Sequence, residues 1–386
     1  MFENHKFINQ GLKPLEQLIK NFNSKKIFII NSKQAYHSLH SKISPFLKPY
    51  DCQFFDKFED NPNIEDIKRG IKLYNDFSPD LCVAIGGGSA LDMGKSINFL
   101  ANQSESIENL IMGKSKNFLE PKVSLIALPT TAGTGAEETS FSVIYIEKTK
   151  YSLSSKFIKP NSIIADISLV YDMPKYLAGC SSFDALTQSI ESYWARGSDS
   201  KSSFYAIESI KLIMDNMIDA VNNKKTSNIK KMVLASNFSG KAINITKTTV
   251  AHALSYSLTS YFKIPHGHSV AFFLPPSLKI TFEIADQKVK NKINNILNLF
   301  GVYTIDDFIK KWKELMKTCD LNTNIFSYGL TSNDKELIIS KVNPERMNNH
   351  PVELSRQNLK QIVSEMFYIF SCLLYTSPSP RDLSTS

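Results

Sequence analysis

DLCVAIGGGSALDMGKSINFLA, residues 80–101, reads as a strand that turns directly into a helix. Leu81 to Ile85 is continuously apolar, the pattern of a strand covered on both faces. From about Ala90 the apolar spacing changes to that of a helix, with Leu91, Gly94, Ile97 and Leu100 on one side. Between them Gly87, Gly88 and Ser89 lack bulk at a helix N-terminus, where backbone N–H groups can approach a phosphate; a tight turn needing positive φ is the plainer alternative. The next apolar run, VSLIALPTTAGTGAEETS (residues 123–140), ends in Thr130, Thr131 and Thr134 among glycines. Two such loops at successive strand ends read as a dinucleotide cradle.

Upstream, Leu12 to Asn21 reads as a helix, KKIFIINS as a strand, Cys52 to Phe55 as a second strand and EDIKRGIKLYNDF as a helix. Downstream, SVIYIEKTKYSLSS predicts a hairpin with Glu147 to Thr149 at its tip, and NSIIADISLV one more buried strand. From Met173 onward nearly every segment has helical periodicity. The expected architecture is an α/β, Rossmann-like nucleotide-binding domain over residues 1–173 and an all-α, metal-binding domain over residues 174–371. Residues 372–386, rich in Ser and Pro, break the style of the chain and read as foreign sequence joined to it.

The 386 residues suit two domains, and 42% hydrophobic with 21% charged residues is a globular composition. A net charge of +8 raises the question of nucleic acid, but the lysines are scattered and no arginine-rich arm appears, so a small anionic molecule is the expected partner. Five cysteines without a CxxC spacing fit a reducing cytoplasm. No apolar run is long enough for a membrane span or a secretion signal, and a homodimer is the expected assembly.

Reactive side chains concentrate in KAINITKTTVAHALSYSLTSYFKIPHGH, residues 241–268. His252 and His266 stand fourteen residues apart around an apolar run, a separation suited to a metal held between a helix and the following turn. Lys241, Asn244, Thr248 and His252 follow steps of three and four. In one continuous helix they share a face, with Lys241 and His252 within about 20° of alignment and roughly 16 Å apart. A cationic groove leading to a metal would follow; a buried histidine with solvated lysines is the alternative. In FDALTQSIESYW, Asp184 and Gln188 are four apart and share a helix face, although Asp184 also suits a helix N-terminus, which it is expected to open.

Together GGGSALDMGK, PTTAGTGAEET, FDALTQSIESYW and HALSYSLTSYFKIPHGH, in that order, resemble the iron-containing (group III) alcohol dehydrogenases of the dehydroquinate-synthase-like fold. The resemblance runs from about residue 10 to Pro351. It implies a divalent metal, iron or zinc, on Asp184, His252 and His266, with Gln188 where the family has a third histidine; Gln188 either ligates through its amide oxygen or leaves a three-donor site. It also implies NAD(P)H held by Gly87, Gly88 and Ser89 at the pyrophosphate, with Thr130, Thr131 and Thr134 toward the nicotinamide and Lys150 on the cofactor side. Relatives that prefer NAD carry an aspartate where this chain has Ser32, followed by Lys33, so NADPH is expected to be accepted and preferred.

GKAINITKTTVAHALSY further resembles the branch that reduces phosphonoacetaldehyde to 2-hydroxyethylphosphonate, with Lys241, Asn244 and Lys247 as the expected substrate-binding residues. Tyr256, or a water relayed by His268, is the expected proton source. The alternatives are a reductase of another small aldehyde (lactaldehyde, succinic semialdehyde or an alkanal), a non-redox lyase of the same fold, and a degenerate nucleotide-binding protein.

Overall fold

The structure, a computed structural model, describes residues 5–371 except 148, 341 and 343; the suspected foreign tail and the centre of the predicted hairpin tip lie outside the described residues. The first part of the chain alternates strands and helices. Its strands are β1 (His5–Ile8), β2 (Lys26–Asn31), β3 (Asp51–Phe55), β4 (Leu81–Gly86), β5 (Ser124–Pro129), β6 (Phe141–Ile146), β7 (Thr149–Ser154) and β8 (Ser162–Ala165). Its helices are α1 (Lys13–Asn21), α2 (Lys33–Leu47), α3 (Ile64–Phe77), α4 (Gly88–Leu100), α5 (Ile107–Ile111) and α6 (Ile167–Val170).

Six strands form a parallel sheet in the order β1-β8-β5-β4-β2-β3, and β6 and β7 form a separate antiparallel hairpin. Strand β4 lies at the centre and is buried along its whole length, as its unbroken apolar run requires. Pairing of Asn31 with Ile85 and of Gly86 with Pro129 brings the C-terminal ends of β2, β4 and β5 level, so the loops after them open side by side. This is where open α/β sheets bind ligands. The N-terminal segment, polar in sequence, supplies β1, which pairs with β8 at the sheet edge; a strand of four partly exposed residues carries no apolar signature.

After Met173 the described chain is helical: α7 (Lys175–Trp194), α8 (Ser200–Asn222), α9 (Thr226–Thr246), α10 (Val250–Phe262), α11 (His266–Ile284), α12 (Gln287–Leu299), α13 (Ile305–Thr318), α14 (Lys335–Ser340), α15 (Pro344–Asn348) and α16 (Arg356–Ile369). Helix α7 is apolar or small around its circumference and is buried from Gly179 to Trp194, the pattern of a helix enclosed on all sides. No helix among the described residues is long and apolar enough to cross a membrane.

The hairpin β6–β7 leans from the sheet domain onto the helices. Phe141, Val143 and Tyr145 alternate along β6 and so share a face. Hydrogen bonds from Tyr145 N–H to Pro62 O (2.8 Å), from Val143 N–H to Asp92 Oδ2 (2.9 Å) and from Ser140 N–H to Asn244 Oδ1 on α9 (2.7 Å) help to fix the hairpin.

Candidate active site

Three elements meet beneath this hairpin. Asp184 from α7, His252 from α10 and His266 at the start of α11 each direct one ligand atom into a cluster whose members all lie within 4.8 Å of one another. Nε2 of His252 is 3.4 Å, and Nε2 of His266 3.8 Å, from Asp184 Oδ1. Asp184 does not open its helix: α7 begins at Lys175 and the AGCSS segment lies inside it, so the helix N-terminus explanation for this aspartate fails. Gly267 makes the arrangement possible. A Cβ there would lie 1.9 Å from the Cys180 carbonyl oxygen, so the start of α11 approaches α7 only because residue 267 has none.

Glu191, which the sequence reading passed over, completes the cluster. Seven residues after Asp184 on the same face of α7, it is fully buried and accepts hydrogen bonds from Thr249 Oγ1 (2.5 Å) and Ala251 N–H (2.8 Å). It also pairs closely with Nδ1 of His252. That contact places the proton of neutral His252 on Nδ1 and turns Nε2 toward Asp184, the orientation a metal-ligating histidine needs. The signal for Glu191 was its position two turns beyond Asp184 within a quoted motif.

Electrostatics agree with a cation at this point. Burial holds His266 down at about 3, so it is a neutral donor. Burial works against an ionised Asp184, but its bond to His252 and the positive charges of His252 and Lys150 outweigh that and keep it below its ordinary value. Burial also opposes a charged His252, yet Glu191 and Asp184 raise it to about 9, so two carboxylates already hold positive charge there. Two imidazoles and a carboxylate at this spacing fit a divalent transition metal with an open position. Gln188 stands one turn after Asp184 and lines the same space, with its amide oxygen accepting from Ser239 Oγ at 2.8 Å.

A cleft of about 480 Å³ runs from this cluster over the sheet ends and is lined by Ser32, Gly87, Gly88, Ser89, Thr130, Thr131 and Thr134. Its floor is close-packed. A Cβ on Gly88 would come within 2.9 Å of Thr134 Cγ2, and one on Gly87 within 3.3 Å of Thr131 Cγ2. Gly87 caps α4 without a side-chain bond, so the first N–H groups of that helix face the cleft, and the buried Thr131 Oγ1 has no partner among the described residues. These features fit a dinucleotide pyrophosphate.

A second cavity, of about 200 Å³, adjoins the cleft and shares Gly88, Ser89, Thr134, Asp184 and His266 with it. Its other walls include Phe141, Tyr145, Lys150, Thr248, Tyr256 and Arg346.

Comparison with known proteins agrees with this geometry. The family model for iron-containing alcohol dehydrogenase matches residues 5–167, and that for the C-terminal part of the Fe-containing alcohol dehydrogenase family matches residues 179–367. The chain belongs to the iron-containing alcohol dehydrogenases. Alcohol dehydrogenase 4 of Saccharomyces cerevisiae is 27% identical over 372 residues, 94% of this chain and 96% of that one. The NADPH-dependent butanol dehydrogenase of Clostridium saccharobutylicum is 27% identical over 376 residues, again 94% of this chain and 96% of that one. Among solved structures, the alcohol dehydrogenase from Oenococcus oeni superposes with a TM-score of 0.85 at 27% identity, covering 94% of this chain and 98% of that one. The iron-containing alcohol dehydrogenase from Thermococcus thioreducens gives 0.86 at 23% identity, covering 95% and 99%. The family uses NAD(P) and iron or another divalent metal. This enzyme is therefore an oxidoreductase acting on alcohols, which sets aside the lyase alternative.

The expectations for Lys241, Asn244, Lys247 and His268 need correction in this alcohol dehydrogenase. Lys241 and Asn244 do not share a helix with His252. Helix α9 ends at Thr246, Lys247 takes a φ of 67°, and α10 begins at Val250. The break is held from outside, because Asn349 donates to the carbonyls of Thr246 (2.6 Å) and Thr248 (3.1 Å) that a continuous helix would have used internally. Lys241 consequently packs over Phe238 and Tyr205, 5.1 and 5.7 Å from their ring centres, and Asn244 is engaged by the hairpin. Lys247 reaches Ser154 Oγ (3.4 Å) and the Phe141 ring (3.9 Å); Phe141 lines the small cavity and Lys247 does not.

His268 is a packing residue. Its Nε2 donates to the Asn322 carbonyl at 2.8 Å, so Nδ1 accepts from the Tyr176 hydroxyl at 3.0 Å, and burial pushes it down to about 4. It lines neither the cavity nor the cleft. Lys150, expected at the cofactor, lines the small cavity, with its ammonium 3.3 Å from the centre of the Tyr256 ring. Tyr256 lines the same cavity. Burial would raise its hydroxyl, but the charges of Lys150, Arg346 and His252 prevail and bring it down to about 8.

The cleft also supports a test of cofactor choice. Ser32 caps α2, accepting from Ala35 N–H at 3.3 Å, and aspartate caps a helix equally well. Ser32→Asp should therefore fold normally while adding a carboxylate to that of Asp60, which already lines the cleft. Catalytic efficiency with NADPH is expected to fall at least about tenfold more than with NADH, because the carboxylate would face the 2′-phosphate. Equal losses with both cofactors would show that Ser32 does not read the ribose.

Proposed function

We propose that this alcohol dehydrogenase reduces a small aldehyde with an anionic end, phosphonoacetaldehyde, to 2-hydroxyethylphosphonate, using NADPH in preference to NADH. The observation that supports reduction of a small carbonyl is the junction between the two cavities: the cleft fitted to the dinucleotide opens into the 200 Å³ cavity at Asp184 and His266. That volume lies below the roughly 300–1,000 Å³ of pockets for drug-sized ligands, so a substrate of few heavy atoms is favoured. The phosphonate end is supported by the likeness of residues 240–256 to the phosphonoacetaldehyde-reducing branch.

A divalent metal on Asp184, His252 and His266 would supply Lewis acidity toward the carbonyl, and the nicotinamide would supply the hydride. The chain itself provides position and a proton. Tyr256 lines the cavity beside His266, their ring centres 6.0 Å apart, and is the group we assign as proton donor to the alkoxide oxygen. Lys150 over its ring stabilises the tyrosinate left behind until solvent returns the proton. Tyr256→Phe is expected to lower kcat about 100-fold with KM nearly unchanged, the usual size of a lost general acid. A kcat within threefold of the parent would remove Tyr256 from the mechanism.

The substrate is tested by NADPH oxidation with phosphonoacetaldehyde, lactaldehyde, succinic semialdehyde and propanal. Phosphonoacetaldehyde is expected to give the highest kcat/KM, by at least about tenfold. A kcat/KM for propanal or lactaldehyde equal to or above that for phosphonoacetaldehyde would overturn the anionic reading.

A further inference from the structure

The proposal above leaves the anionic end of the substrate without a partner, since Lys241 and Lys247 do not line the cavity. We propose that Arg346, with Lys150 beside it, is the anion-binding group of this cavity and the residue that selects aldehydes carrying a phosphonate or similar oxyanion. This rests on the small-aldehyde reading of the same site.

Arg346 comes from α15, nearly a hundred residues after His252, and reaches the cavity wall with only 5% of its surface exposed. Its guanidinium carbon lies 5.6 Å from the Phe141 ring centre, on a side chain that also lines the cavity. The carboxylates on the same wall are already engaged. Asp92 contacts Lys95 (2.8 Å) and accepts from Val143 N–H (2.9 Å), and Asp184 belongs to the histidine cluster. Arg346 and Lys150 are the lysine and arginine side chains on the cavity wall, and each is close enough to bear on the hydroxyl of Tyr256.

The chemistry suits a tetrahedral oxyanion. A guanidinium presents five N–H donors in a planar fork, so it can hold two anion oxygens while keeping its contact with Phe141. Metal cluster and arginine line one small cavity, so the carbonyl and the anion of one small aldehyde would find their partners in the same space. The hydroxyl of Thr248 on the same wall adds a neutral donor.

The probe is methylphosphonate, which has the anion and no carbonyl, used as an inhibitor of propanal reduction by the metal-loaded enzyme. Competitive inhibition against propanal is expected, with Ki raised at least about tenfold in Arg346→Gln and less in Arg346→Lys, which keeps the charge without the fork. In parallel, the ratio of kcat/KM for phosphonoacetaldehyde to that for propanal should fall at least about 30-fold in Arg346→Gln and stay constant in the charge control Lys241→Ala. NADPH fluorescence titration should give the parent Kd for each variant, showing that the cleft is intact. Absence of inhibition in the parent, or equal inhibition of parent and Arg346→Gln, would overturn the assignment of Arg346. A parent enzyme that methylphosphonate inhibits through Arg346 but that prefers another aldehyde would instead overturn phosphonoacetaldehyde as substrate and leave the anion site standing.

Discussion

His266→Ala is expected to abolish stoichiometric metal binding, leaving below about a tenth of an equivalent after reloading with zinc or iron, and to remove activity with it. Among the described residues, one carboxylate and two imidazoles converge with ligand atoms within 4.8 Å of one another, so losing His266 leaves two of these donors. Disturbing a group that merely orients a ligand costs roughly 10–100-fold in affinity or activity, and removing a ligand outright should cost more. The cleft residues lie on other elements, so NADPH should still bind. Metal analysis by mass spectrometry after gel filtration, run beside a fluorescence titration with NADPH, separates the two effects. Full retention of metal by the variant would mean that His266 is not a ligand and that the cluster is a hydrogen-bonded polar core.

Gly267→Ala should have the largest effect on stability. The added methyl group would lie 1.9 Å from Cys180 O, 2.6 Å from Cys180 C and 3.2 Å from Asp184 Cβ. The two nearest atoms are main chain of Cys180, which no rotamer change can move, so the start of α11 must move off α7. Overpacking usually costs about 1–3 kcal/mol, and a contact this short against main chain should reach at least about 3 kcal/mol. The same movement would carry His266 away from Asp184. Thermal or urea unfolding should therefore show a large loss of stability, and metal affinity should fall even where the variant is folded. A variant with the stability and metal content of the parent would mean that α7 and α11 do not approach as closely as described.

Much of this was legible in the sequence because it is local. The run Leu81 to Ile85 had to be a buried central strand, and β4 is that strand; the glycines after it had to form a close turn into a helix, and α4 begins at Gly88. Ser32, Gly87 and Thr131 were picked from separate strand ends and line one cleft, since a parallel sheet places the loops after its strands along one edge. The triad Asp184, His252 and His266 was legible from motif resemblance, and the structure brings those residues together.

Where the reading extended helical periodicity across Lys247, it went wrong. Steps of three and four continue from Lys241 to His252, but the pattern cannot register that Asn349, a hundred residues later, takes up the carbonyls of Thr246 and Thr248 and ends the helix. The lysines therefore left the site, while Arg346, which no local pattern connected with it, entered. His268 was drawn in by its place two residues from His266, yet in the first turn of α11 adjacent side chains diverge, and it is buried against Tyr176 and Phe272 instead.

The sequence by itself determined the parallel-sheet strands β2 to β5 and β8, the glycine turn and the succession of helices, because hydrophobic period and backbone freedom are properties of neighbouring residues. Tertiary structure alone decided that Glu191 pairs with His252, that Lys150 lies over the Tyr256 ring, and which cations line that cavity. Those outcomes depend on how α7, α10, α11, α15 and the hairpin dock against one another. Docking is set by packing and hydrogen bonds between residues far apart in the chain, which no local spacing records.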